Sequence, residues 1–127
     1  MNEKEKNRDT ISFGIIANAG DARSIAFMAL QSAEKGEFAE AEKRIAAAKE
    51  SVAKAHQQQT MLLFDEVNGK PSAINLLMVH AQDHLMTSML AIELIESMIR
   101  TMKKQTEENE SLRQQIDDLK AKLESIK

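Results

Sequence analysis

The sequence predicts an all-α protein, on three observations. The 127 residues include one proline, four glycines and no tyrosine or tryptophan, while Ala, Leu, Met, Glu, Lys and Gln abound, a composition that favours helix and offers little to a sheet. Apolar residues recur at helical spacing through most of the chain. Two of the glycines, Gly36 and Gly69, stand where that periodicity breaks.

The first helix is read from Ile15, Ile16, Ala19, Ala22, Ile25, Ala26, Ala29 and Leu30, within a periodic run from Ile11 to Ala33. Gly36 follows where a C-terminal glycine belongs, so this helix ends near Lys35. A second run starts at Glu37 and passes through Phe38, Ala41, Ile45, Ala48, Val52 and Ala55 to Leu62 and Leu63. The turn residues Asn68-Gly69 and Pro71 then end it near Val67. Ser72 is the expected N-cap of a third helix, and from there to Lys127 neither glycine nor proline interrupts the pattern.

Helix three carries two apolar stripes. One holds Ile74, Leu77, Met78, Ala81, Leu85, Met89, Ile92, Ile95 and Ile99 and is suited to pack on the first two helices. The other holds Leu76, Val79, Met86, Leu90, Leu94 and Met98. A helix apolar on two sides must be covered on both, which a three-helix subunit cannot do alone, so self-association is expected. Beyond Arg100 the apolar positions narrow to a heptad seam of Met98, Met102, Gln105, Asn109, Leu112, Ile116, Leu119, Leu123 and Ile126. Consecutive four-residue steps between Met86 and Met102 read as a stutter that joins this seam to the second stripe. The organisation that follows is a helical domain over 1–104 and a coiled-coil extension over 105–127.

Seventeen basic and twenty acidic residues give a net charge of −3 and are interspersed, so no basic patch is available for nucleic acid. There is no cysteine, which excludes disulfides and thiolate metal sites. The charged N-terminus lacks the apolar core of a signal peptide, and no apolar run approaches bilayer length, so a cytoplasmic location is expected.

The chemistry concentrates in "HAQDHLMT", residues 80–87. His80 and His84 lie one turn apart on nearly one face, with Thr87 near them, Gln82 pointing almost opposite to His80, and Asp83 turned toward the second stripe. A neutral histidine with one ring nitrogen free and the other fixed is a phosphoryl acceptor, and a neighbouring histidine can position it or stabilise the added charge. The same spacing is a half-site for zinc, lacking two further ligands, and also that of a hydrogen-bonded structural pair. Spacing alone leaves all three open. A carboxylate on an apolar seam must be protonated, paired or bound to a cation. If the seam lies on a symmetry axis, the Asp83 carboxylates of several subunits converge and either favour protonation of one another or recruit an oxygen-preferring divalent cation such as Mg²⁺.

"HAQDHLMT", together with "NAGDARS" (18–24), "AEKGEFAEAE" (33–42) and "AHQQQT" (55–60), closely resembles the IIA component of the lactose/cellobiose class of the bacterial phosphoenolpyruvate-dependent sugar phosphotransferase system. The resemblance runs from about Ile11 to about Ile99. It implies a three-helix subunit that forms a homotrimer, accepts a phosphoryl group from HPr and passes it to a cysteine of the cognate IIB protein, with the sugar handled by a membrane IIC permease. By its match to the first histidine of the motif, His80 is the phosphorylated residue, as a tele-phosphohistidine; Gln82 and His84 also match and are implied to be catalytic. Asp83 is implied to sit around a metal ion at the trimer axis. Because Gln82 faces away from His80 on its own helix, it would reach a phosphohistidine only on a neighbouring subunit. His56, in a matching segment, is read as a structural histidine. Ala81 and Leu85-Met86 look closer to the cellobiose/chitobiose branch than to the lactose one. Members of the family usually stop soon after the position of Met102, so the extra heptads lie outside what the resemblance implies and are read as lengthening a parallel three-stranded bundle. The competing reading is a catalytically silent helical oligomerisation or regulatory module acting through its coiled coil.

Overall fold

The computed structural model describes residues 2–70 and 73–127, which form three helices: α1 (Glu3–Glu34), α2 (Phe38–Val67) and α3 (Leu76–Ile126). Among the described residues there is no strand.

α1 begins eight residues before the apolar periodicity, because Asn2 and Glu5 close a capping box. The Asn2 side chain accepts from Glu5 N at 2.8 Å, and the Glu5 carboxylate accepts from Asn2 N at 3.3 Å. The α1–α2 turn is a Schellman cap: Gly36 takes a φ of +80°, its N–H donates to Ala33 O, and Glu37 N–H donates to Ser32 O. The end of α2 repeats the device with Gly69 at φ +74°, Gly69 N–H on Glu66 O and Lys70 N–H on Asp65 O. Both glycines thus supply a left-handed residue that a side chain would strain.

The expected cap Ser72 lies outside the described residues, as does Pro71, and the cap observed is Asn75. Its side-chain oxygen accepts from Met78 N at 2.8 Å while its amide donates to Asp9 Oδ1 at 3.2 Å. Arg8 Nη1 donates to Ala73 O at 2.8 Å beside it. The start of α3 is therefore fixed by α1, and α3 runs in the direction of α1. Ile74, expected on the core stripe, precedes the helix and is 78% exposed.

The core is built largely of alanine. Ala22, Ala26, Ala29, Ala33, Ala41 and Ala48 pack with Ile45, Ile92, Ile95 and Ile99 in one cluster, and Ile15, Ala19, Ala55, Ala81 and Leu85 form a second. Small side chains at the contact favour close approach of packed helices. Polar bonds tie α2 to α3 along one flank: Lys49 to Glu96 at 2.7 Å and Lys103 to Glu42 at 2.9 Å. Hydrogen bonding to Glu42 and its charge together hold the Lys103 ammonium above the usual lysine range.

At about 1.5 Å per residue, the 51 residues of α3 span roughly 76 Å. From Lys104 onward every residue of it is exposed. No helix of the described residues is long and apolar enough to cross a membrane.

Candidate phosphoryl-transfer site

The first stripe of α3 faces the other two helices as expected, apart from Ile74: Ala81, Leu85, Ile92, Ile95 and Ile99 are buried. The second stripe faces outward, with Val79, Met86, Leu90, Leu94 and Met98 each about half exposed and Leu76 at 84%. Asp83 is exposed within that stripe.

His80 and His84 stand on the edge of the stripe that borders α1. Their ring centroids are 4.6 Å apart and the rings meet edge-on at 79°. His80 is exposed, next to Leu76 and Leu77, whereas His84 is half-buried. The Nδ1 atom of His84 is buried with no hydrogen-bond partner. The pair thus consists of one exposed ring and one held by packing.

His84 also lines a hollow whose other wall is α1: Gly20, Arg23, Ser24, Phe27, Met28 and Gln31. Arg23 brings a guanidinium to this wall, a charge suited to an anionic group arriving beside the histidines. Phe27 and Met28 are 45% and 44% exposed and give the same wall apolar surface.

Gln82 does not join the histidines. It lies on the α2 side of the stripe, where its carbonyl oxygen accepts from the side-chain amide of the buried Gln59. Thr87, close in sequence, spends its hydroxyl on its own helix, donating to Asp83 O at 2.8 Å and His84 O at 3.3 Å. His56 is exposed on α2, so the structural role read from the sequence is not seen. Arg23 and Gln59 received no role from the sequence, although both fall inside the segments that carry the resemblance, and only the packing of α1 and α2 on α3 brings them to the site.

Among the described residues no three His, Cys, Asp or Glu side chains of one chain cluster to hold a metal ion. Asp83 is a single oxygen donor on an apolar surface, so a cation there would draw its ligands from several chains. Such an all-oxygen set fits Mg²⁺ or a similar hard cation, and does not suit zinc.

Comparison with known proteins finds relatives over most of the chain. A family described as "PTS system, Lactose/Cellobiose specific IIA subunit" matches residues 10–103. The lactose-specific EIIA component of Staphylococcus epidermidis is 44% identical over 101 residues, which is 77% of this chain and 97% of the relative. The crystal structure of the cellobiose-specific enzyme IIA from Bacillus anthracis superimposes with a TM-score of 0.77 at 40% identity, covering 84% of this chain and 94% of that one. The chitobiose IIA of Escherichia coli, solved in complex with HPr, superimposes with a TM-score of 0.69 at 38% identity, covering 78% and 96%.

Proposed function

Because the chain belongs to the lactose/cellobiose-specific IIA family of the sugar phosphotransferase system, and is thereby a phosphotransferase component, we propose that His80 carries a phosphoryl group from phospho-HPr to a cysteine of a cognate IIB protein. The observation that carries this reading is the pairing of an exposed His80 ring with a half-buried His84 ring at 4.6 Å. Neutral Nε2 of His80 attacks phosphorus as the bond to HPr breaks. In the second step the IIB thiolate attacks and the N–P bond breaks, which returns His80 to its starting form. Catalysis here is mainly positioning in line, with charge stabilisation nearby. His84 orients the acceptor ring, and Arg23 offers positive charge to the incoming phosphate from the α1 wall.

The assembly proposed is a homotrimer with α3 around the axis. The exposed Val79, Met86, Leu90, Leu94 and Met98 support it, since an apolar stripe of this length calls for a partner. In a parallel trimer the α1-side flank of one stripe meets the α2-side flank of the next. His80 and Gln82 occupy those opposite flanks, about 160° apart around the helix. Gln82 therefore approaches the phosphohistidine of a neighbouring chain once it parts from Gln59. Three Asp83 carboxylates meet at the axis, where Mg²⁺ would neutralise their mutual repulsion; the ion holds chains together and takes no part in transfer. The protein would work in the cytoplasm with HPr, IIB and, through IIB, the membrane IIC permease. The sugar is a β-linked disaccharide of the cellobiose/chitobiose or lactose type, recognised by IIC.

Intact mass after incubation with phosphoenolpyruvate, enzyme I and HPr tests the reading. The parent and His84→Ala should each take up one acid-labile phosphoryl group per chain, slowly in the variant, and His80→Ala none. A correctly assembled parent that takes up no phosphoryl group would return the protein to the class of silent oligomerisation modules.

A further inference from the structure

The family match ends at residue 103, and α3 runs on to Ile126 with every residue from Lys104 exposed. This segment is a solitary helix in the single chain. Isolated helices of this length are marginal in water, yet Leu112, Ile116, Leu119, Leu123 and Ile126 line one side of it at 51–79% exposure. Something must cover that side.

We infer that residues 102–127 pair with the same residues of two further copies in a parallel, in-register, three-stranded coiled coil that prolongs the trimer axis. The inference rests on the trimer reading above and commits the tail to copies of this chain. Three features favour that occupant.

The first is continuity. The tail's apolar side follows on the same α3 helix from the exposed stripe that runs from Val79 to Met98, so one set of neighbours covers both.

The second is spacing. From Met102 the seam advances by alternating three and four residues, placing Met102, Asn109, Ile116 and Leu123 at a positions and Gln105, Leu112, Leu119 and Ile126 at d positions. Ile116 over Leu119 is a pair that suits two strands, while Leu123 over Ile126 suits more. The seam leaves strand number to the domain.

The third is charge. The e positions are Thr106, Arg113, Lys120 and Lys127, and the g positions are Glu108, Gln115 and Lys122. Antiparallel pairing sets e against e and brings Arg113, Lys120 and Lys127 of one chain against those of the next. Parallel pairing sets g against the following e, so that Glu108 meets Arg113 and Gln115 meets Lys120 of the neighbouring chain, and like charges meet only at the last pair, Lys122 with Lys127. Neither Glu108 nor Arg113 has an ion pair among the described residues of its own chain. The polar pair Gln105 and Asn109 lies where the helix leaves the α1–α2 turn and fixes the register at the junction.

The chain has no cysteine, so one introduced thiol reports on one contact. Full-length Ile126→Cys, oxidised in dilute solution, should form disulfides between chains, since parallel in-register packing brings identical positions together. A closed ring of three with one thiol each bridges about two thirds of the chains and leaves the rest as monomers on a denaturing gel. Glu108→Arg should lower the assembly's melting temperature, and Glu108→Arg with Arg113→Glu should restore it. No bridging, with three chains by light scattering, would overturn the coiled coil while the trimer stands. Complete bridging with a mass of two chains would instead overturn the trimer reading.

Discussion

Gly20 lies in the wall facing His84, and a Cβ added there would meet no atom within 4 Å. Gly20→Ala should therefore stabilise the helix by about 0.5–1 kcal/mol in thermal unfolding and leave transfer unchanged. Gly20→Leu should be equally well folded, yet its side chain would fill the hollow beside His84, over which we propose that HPr docks; phosphorylation as fast as the parent's would show that HPr docks elsewhere. Ser12 and Ser88 are fully buried and their hydroxyls have no hydrogen-bond partner. A buried orphan hydroxyl costs about 1–3 kcal/mol, so Ser88→Ala should raise stability by about 1 kcal/mol without slowing transfer. The histidine pair was legible in the sequence because two residues four apart on one helix meet by helical geometry alone. Gln59 and Arg23 were not, since they reach α3 from α2 and α1, and no spacing within one segment encodes that approach.

At the scale of the helices, the C-termini marked by a left-handed glycine were legible, whereas the start of α1, set by the Asn2–Glu5 box ahead of the apolar pattern, and the start of α3, settled by tertiary contacts, were not. Gly36 and Gly69 marked both C-termini because the cap needs a left-handed residue, and Gly36→Ala should cost about 1–2 kcal/mol in denaturant unfolding for that reason. Ser72 and Asn75 are both good caps by type, and the choice between them turns on Asp9, which accepts a bond from Asn75, and on Arg8, which holds Ala73. Asn75→Ala removes the cap and the tie to α1 together and should exceed the ~1 kcal/mol of an ordinary cap loss. The Glu42–Lys103 pair closes the other end, where α3 leaves the domain. Lys103 is held above the usual lysine range chiefly by its hydrogen bond to Glu42. A raised folded-state pKa stabilises at pH values below the unfolded one, and the gain disappears as pH climbs through the folded one. Lys103→Met should thus melt below the parent at neutral pH, and the gap should close in strong alkali; a gap independent of pH would assign the effect to packing instead.

For the whole molecule, the second apolar stripe was the most informative feature of the sequence, because a helix apolar on two sides is incomplete as a monomer. The structure leaves that stripe exposed from Val79 to Ile126, interrupted by the polar Asp83, Gln105 and Asn109 and by Met102, which packs on its own chain's core. In the proposed trimer two devices then hold the axis: a cation between the Asp83 carboxylates near the active sites, and the coiled coil beyond residue 104. Each fixes the same rotation of the α3 helices and so the same approach of one chain's Gln82 to the next chain's His80. Devices that share one equilibrium compensate for each other, so their removal should be strongly non-additive. Stripping divalent ions with a chelator should leave the full-length protein trimeric and competent in transfer. A chain ending at residue 104 retains the family's matched segment and should also remain trimeric when Mg²⁺ is present. The truncated chain with chelator has lost both devices and should dissociate at micromolar concentration, losing transfer in step with its mass. In the truncated chain Asp83→Leu should abolish the chelator effect, because the repulsion that the ion relieves is gone. If the truncated parent stays trimeric in chelator, the carboxylates at the axis need no ion, and the metal assignment at Asp83 falls.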